Sequence, residues 1–207
     1  MKLLRAILDL LFPPRDAEAL VNEATSESLG ALARVRTHED GTVSLLPYRA
    51  PLVKACITEA KFRDSENAQK LLAAVLADYL SSFTEDLRDY EAQNSILVPV
   101  PLSEARRRER GYNQTERIGA RALIGLTDIT LDTRILTRTR DTLPQTSLGG
   151  RARRKNLRGA FSANIPDSTH TYIVFDDVRT TGTTLTEAMA ALRNANAAKI
   201  YGISLAH

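Results

Sequence analysis

The sequence predicts an α/β protein with a mainly parallel central sheet flanked by helices. Three observations lead there. Helical and strand patterns alternate along the chain. The strands read as continuous apolar runs rather than alternating ones, as expected when both faces of a sheet are covered. And 207 residues, 43% apolar and 26% charged, suit an ordinary globular chain with a sizeable core. At about 100–200 residues per domain, one main domain with a small addition is expected. We place an N-terminal helix and appendage at 1–42 and the main domain at 43–207.

Element by element, Leu3, Leu4, Ile7, Leu8 and Leu11 fall on one helical face, and Pro13-Pro14 stops that helix. Asp9 interrupts the apolar stretch and no small-x-small site follows, which argues against a signal peptide. Residues 15–42 show weak periodicity and form the appendage. Val43, Leu45, Leu46 and Tyr48 predict a strand over 43–48. Helices follow at about 50–60 and 65–82; in the second, Ala68, Leu71, Leu72, Val75, Leu76, Tyr79 and Leu80 recur at helical spacing. Ile96–Val100 is a short apolar strand bounded by prolines, and a helix is expected at 114–124. Another strand is placed at 129–136. Residues 138–158 are polar, basic and too long for a simple connection. Tyr172–Phe175 is a buried strand, 184–195 a helix and Ile200–Leu205 the last strand.

Composition excludes several chemistries. Cys56 is the single cysteine, so neither an internal disulfide nor a thiolate zinc site is available. In its apolar helical setting it reads as a small core residue. His38, His170 and His207 show no ligand spacing. No run of about 18 apolar residues occurs, so no membrane span is expected and a cytoplasmic location is. Charge is lopsided: residues 1–100 carry 11 basic and 15 acidic side chains, residues 101–207 carry 17 and 10. Within 134–158 eight Lys or Arg face only Asp141. A basic second half implies an anionic partner, either the phosphates of a small ligand or a nucleic-acid backbone.

The chemistry concentrates in Ile173-Val174-Phe175-Asp176-Asp177-Val178-Arg179-Thr180-Thr181-Gly182-Thr183-Thr184-Leu185. A buried strand ends on two carboxylates, a Thr-Gly turn follows, and a helix starts. Thr184 and Glu187 stand at capping-box spacing, and Leu185, Ala188, Met189 and Leu192 form the buried helical face. A helix start presents unpaired N–H groups and the positive end of the helix dipole, which suit a phosphate monoester. Carboxylates on the same sheet edge suit vicinal hydroxyls. Phosphate and diol recognition side by side describe a 5-phosphoribosyl group. An isolated Asp-Asp or Thr-Thr-Gly would read as a capped helix with solvated loop acids; the whole unit does not. Neither G-x-x-x-x-G-K-[ST] nor G-x-G-x-x-G occurs.

This segment closely resembles the phosphoribosyl-pyrophosphate (PRPP) motif of type I phosphoribosyltransferases, which implies a phosphoribosyltransferase-like fold. On the resemblance, Asp176 and Asp177 are the catalytic, ribose-holding acids, and Val178, Arg179, Thr180, Thr181, Gly182, Thr183 and Thr184 complete the PRPP site. Two more segments narrow it: Val98-Pro99-Val100-Pro101 with Arg106–Gln114, and Arg138–Leu148 continuing to Phe161. Together with Lys61-Phe62 they are similar to the ComF family of competence-associated, phosphoribosyltransferase-like proteins, over roughly 45–207. That family often carries a four-cysteine zinc finger after Leu-Phe-Pro-Pro-Arg. Here Leu11–Arg15 is present but no cysteine follows it, so zinc is not expected.

The resemblance implies Lys61, Arg106, Arg110 and Gly111 as pyrophosphate contacts, since guanidinium groups grip phosphates in pairs of bonds. It makes 138–158 a lid, with Gln145 and Arg151 as its contacts. Three readings follow. The first is a transferase that uses PRPP with Mg2+ and an unknown nitrogenous acceptor. The second is a competence protein that handles single-stranded DNA in DNA uptake. The third is a PRPP sensor whose output is contact with a partner, such as a competence-machinery protein. A homodimer is compatible with each.

Overall fold

The computed structural model describes residues 14–87, 94–139, 157–165 and 167–207. The amphipathic stretch before Pro14, the lid candidates Gln145 and Arg151, and most of 138–158 lie outside those residues.

Helices α1 (Pro14–Glu23) and α2 (Ser26–Gly30) lead to β1 (Arg36–Thr37) and β2 (Val43–Leu46). Next come α3 (Pro51–Phe62), α4 (Glu66–Asp86), β3 (Ser95–Pro99), α5 (Glu104–Arg110), α6 (Gln114–Ala122) and β4 (Ile129–Leu131). Strands β5 (Leu136–Arg138) and β6 (Phe161–Ala163) precede β7 (Thr171–Val178), α7 (Thr183–Asn194) and β8 (Lys199–Ala206). The described residues thus form a mixed α/β fold with seven helices.

Six strands make the main sheet in the order β1-β2-β8-β7-β3-β4, and β5-β6 form a small antiparallel ribbon. Only β1 runs antiparallel in the main sheet; the other neighbours are parallel. From β3 the chain first moves outward to β4, then returns to the other side of β3 as β7. This reversal of winding opens a crevice at the carboxyl ends of β3 and β7, where ligands of open parallel sheets bind.

The alternation of β7 shows why its sequence is continuously apolar. Ile173 and Phe175 face one buried cluster, with Leu97, Leu72, Leu76, Ile118 and Leu205. Tyr172 and Val174 face the other, with Val98, Leu136, Phe161, Leu185, Met189 and Leu192. Both faces are covered, so no position in the run can be polar until the strand leaves the core. Phe175 is fully buried, a contribution of about 2 kcal/mol from area removed from water. Cys56 sits in the first cluster with its thiol pushed up to about 12 by burial, so it is an inert core residue.

One expectation about the strands needs correction. The single strand expected at 129–136 is two, β4 and β5, in different sheets. Asp132 breaks it, because its Oδ1 accepts from the Arg134 backbone N–H at 2.7 Å and turns the chain. The weakly periodic 15–42 stretch holds two helices and an edge strand, and Ala17, Val21 and Leu29 join the first core cluster. Among the described residues no helix is long and apolar enough to cross a membrane.

Candidate functional site

Strand β7 carries both carboxylates into the crevice, and its pleat sends them to opposite faces. Asp177 points toward α3 and α6, Asp176 toward the start of α7.

The Asp177 side is assembled by the segment Gly111-Tyr112-Asn113-Gln114, each residue with its own task. Gly111 ends α5 in the left-handed region at φ 79°. The Tyr112 hydroxyl donates to the Ala60 carbonyl at 3.0 Å and accepts from the Asp64 N–H at 2.9 Å, clamping the end of α3. Asn113 caps α6 through the Thr115 N–H at 3.2 Å, and its amide donates to the Val100 carbonyl at 3.1 Å. Gln114 is thereby placed at the first position of α6, where its amide donates to Asp177 Oδ2 at 2.5 Å. Lys61, in the last turn of the clamped α3, brings its Nζ to 2.9 Å from the same oxygen.

Asp177 is 5% exposed. Desolvation pulls its carboxyl upward, but Lys61 and the bond from Gln114 outweigh it, with Arg110 adding to them. The net shift is downward, so Asp177 is ionised. Arg110 donates to Gln114 Oε1 at 3.2 Å and lays its guanidinium 4.9 Å from the centre of the Phe62 ring. Arg106 stands one turn earlier on α5.

Asp176 is half-buried and lines a cleft with Val178, Arg179, Thr180, Gly182, Thr184 and Leu185. Its carboxyl is pushed up to about 7, first by desolvation and then by the neighbouring Asp177 charge, with Lys61 and Arg138 pulling the other way. Two adjacent acids, one lowered by the Lys61 ion pair and one raised by burial, therefore differ in charge state near neutrality.

Opposite Asp176, Gly182 begins α7 at φ 77°. The first N–H groups of the helix have no intrahelical acceptor and face the same end. Thr181 and Thr183 bond through their hydroxyls at 2.9 Å, and Thr186 returns its hydroxyl to the Gly182 carbonyl at 3.1 Å. The capping box expected at Thr184 and Glu187 is not formed: the helix starts one residue earlier, on a glycine with no side chain to cap it, and Glu187 accepts from the Gly159 N–H at 2.9 Å. That bond ties the β6 approach to α7. A Cβ at Gly182 would lie 2.5 Å from Arg179 Nη2, in a conformation L side chains rarely adopt. Gly182→Ala is expected to lower stability by about 1–2 kcal/mol, read from urea midpoints at unchanged slope.

The structure brings Asp177, Lys61 and Arg110 together through Gln114, and Asp176 together with the Thr-Gly loop. Gly111 serves the turn and is exposed. Gln114 carried no signal in the sequence beyond its place in the arginine–glycine segment. Among the described residues no group of three or more His, Cys, Asp or Glu could hold a metal ion.

Fold and site together define a mostly parallel α/β protein with a cleft, lined by Asp176 and the Thr-Gly loop, at its switch point. The chain belongs to the ComF family. It is 35% identical over 159 residues to DNA utilization protein YhgH of Escherichia coli K12, covering 75% of this chain and 67% of that protein. It is 35% identical over 175 residues to Competence protein F of Haemophilus influenzae, covering 81% and 72%. The YhgH protein of Salmonella typhimurium is 32% identical over 154 residues, 73% of this chain and 66% of the relative. The chain thus spans about two thirds of the length of these enterobacterial relatives. No family model matches it.

Proposed function

We propose that the domain is a type I phosphoribosyltransferase-like fold that binds PRPP and transfers its phosphoribosyl group to a nitrogenous acceptor. The observation that carries this reading is the cleft shared by Asp176, Thr180, Gly182, Thr184 and the start of α7. The loop and helix start receive the 5-phosphate. Asp176 accepts from the ribose hydroxyls. In the transfer, the bond from C1 to the pyrophosphate oxygen breaks, the acceptor nitrogen bonds to C1 and gives its proton to solvent water, and pyrophosphate leaves with the bonding pair. Arg106 and Arg110 on α5 receive the leaving charge. Asp177 acts from behind: held by Lys61 and Gln114, it fixes the strand end and raises the Asp176 carboxyl.

Mg2+ fits this donor set in one way. A hard cation takes oxygen ligands and is commonly held by one carboxylate plus substrate phosphates. Asp176 is the carboxylate available, and the ion would neutralise pyrophosphate charge.

Calorimetric titration with PRPP, with and without Mg2+, tests the reading. Magnesium-dependent binding of the order of micromolar, about −8 kcal/mol, is expected for the wild type. Loss of that binding in Asp176→Asn supports the site. No wild-type binding rejects it.

A second reading is a non-enzymatic competence protein handling single-stranded DNA. The names of the relatives, DNA utilization protein and Competence protein F, favour it. Four arginines of α5 and α6 weigh against a broad phosphate track there: Arg107 pairs with Glu116, Arg108 with Glu104, Arg117 with Asp64 and Arg121 with Glu66. Oligonucleotide affinity that falls steeply with salt would favour this reading over transfer.

A further inference from the structure

Arg179 occupies the position between Val178 and the Thr-Thr-Gly turn, and its guanidinium reaches sideways to the turn between β1 and β2. Nε donates to Thr42 Oγ1 at 3.0 Å, and Nη2 to Asp40 Oδ2 at 3.0 Å. The Thr186 hydroxyl, which donates mainly to the Gly182 carbonyl, lies 3.4 Å from the same Oδ2, in the first turns of α7. Asp40 Oδ1 accepts from the Thr42 N–H at 3.1 Å and the Thr42 hydroxyl at 2.7 Å. One carboxylate therefore joins its own turn, the start of the loop and the start of the helix. The packing is close: a Cβ at Gly182 would lie 2.8 Å from Arg179 Cζ and 2.9 Å from Asp40 Oδ2.

We propose that Asp40 is a positioning residue for the anion loop: by holding Arg179 against Gly182 it fixes the Thr180–Thr184 backbone in the shape that receives a sugar phosphate. The proposal rests on the phosphoribosyl reading above. It changes the part played by Arg179. Two of its three nitrogens, Nε and Nη2, are committed to Thr42 and Asp40, so that edge of the guanidinium braces the loop instead of clasping the ligand. It also changes the part played by the residues before 43, because the 38–42 turn becomes a working piece of the site. Burial would raise the Asp40 carboxyl, but bonds from Thr42 and Arg179 outweigh it and hold it down at about 2. The Asp40 carboxylate therefore stays ionised across the neutral range.

The sign of the effect separates bracing from simple electrostatics. A carboxylate beside an anion site repels the ligand, so its removal alone tightens anion binding. Loss of a brace loosens it. The test uses the full chain with Asp40→Ala and Asp40→Asn, and two measurements. In ligand-free protein, hydrogen exchange of a peptide spanning 179–186 is expected to rise about tenfold in Asp40→Ala, the scale of one lost charge-assisted bond, with α4 peptides unchanged. Asp40→Asn, which keeps an acceptor, should rise less. Calorimetric affinity for ribose 5-phosphate is expected to fall about tenfold in Asp40→Ala and less in Asp40→Asn. Unchanged loop exchange, a rise spread equally over α4, or equal or tighter ribose 5-phosphate binding each overturns the proposal. If the wild type binds no ribose 5-phosphate, the phosphoribosyl reading fails, and the exchange measurement still decides whether Asp40 orders the loop.

Discussion

Asp176→Asn is expected to make the ligand-free protein more stable at pH 8 by about 4 kcal/mol and, on the phosphoribosyl reading, to remove affinity for a ribose diol. The cause is the raised carboxyl of Asp176, at about 7 in the fold. In the unfolded chain an aspartate ionises near 3.9. Between those values the unfolded chain sheds its proton and the folded chain keeps it, so rising pH favours unfolding. The wild type therefore loses stability from about pH 4 to about pH 7 on account of this group, and the loss levels off above. An asparagine of nearly the same shape has no charge to desolvate beside Asp177. Wild type and variant should match near pH 4 and diverge toward pH 8. Urea midpoints at the two pH values check this; parallel midpoints across the range would remove the burial argument. A site that costs stability to keep, and is stabilised by its own deletion, is the expected mark of a functional group.

Lys61→Met should act in the opposite direction, destabilising the protein by about 3 kcal/mol at neutral pH. It leaves the buried Asp177 carboxylate without the ammonium that now sits 2.9 Å away. Gln114 and Arg110 remain, but one amide bond and one more distant charge do not replace a direct ion pair. The pH dependence has a definite sign. The wild-type Asp177 carboxyl is lowered, so its pair contributes stability above the unfolded value and loses it as pH falls through the lower folded value. In the variant that support is gone. The gap between wild type and Lys61→Met should be largest at neutral pH and close in acid. A cycle with Lys61→Met/Asp177→Asn completes the test, because the double variant, having no unpaired charge, should lose less than the single one. If the double variant were the less stable, Lys61 would be acting through packing alone.

Much of the architecture was legible because it is local. Helix α4 follows from apolar spacing, and β7 from an apolar run that only a doubly covered strand tolerates. The errors also have local causes. The Thr184–Glu187 spacing matched a capping box, yet Gly182 in a left-handed conformation starts the helix earlier and Gly159 claims Glu187. Residues 129–136 read as one strand, yet the Asp132 turn sends its two halves into different sheets.

The sequence by itself determined the strand, the acid pair, the Thr-Gly turn and the helix behind them, since a strand end, a tight turn and a helix start are set by neighbouring residues. It also determined the family, through segments that occur in order along the chain. Only the tertiary structure decided what each acid does. Asp177 meets Gln114 across 63 positions of chain, and Arg179 meets Asp40 across 139. A carboxylate's charge state depends on which ammonium, amide or second carboxylate surrounds it, and on how much water remains. Those neighbours are brought by the packing of α3, α6 and the β1–β2 turn around the switch point, and no spacing along the sequence encodes them.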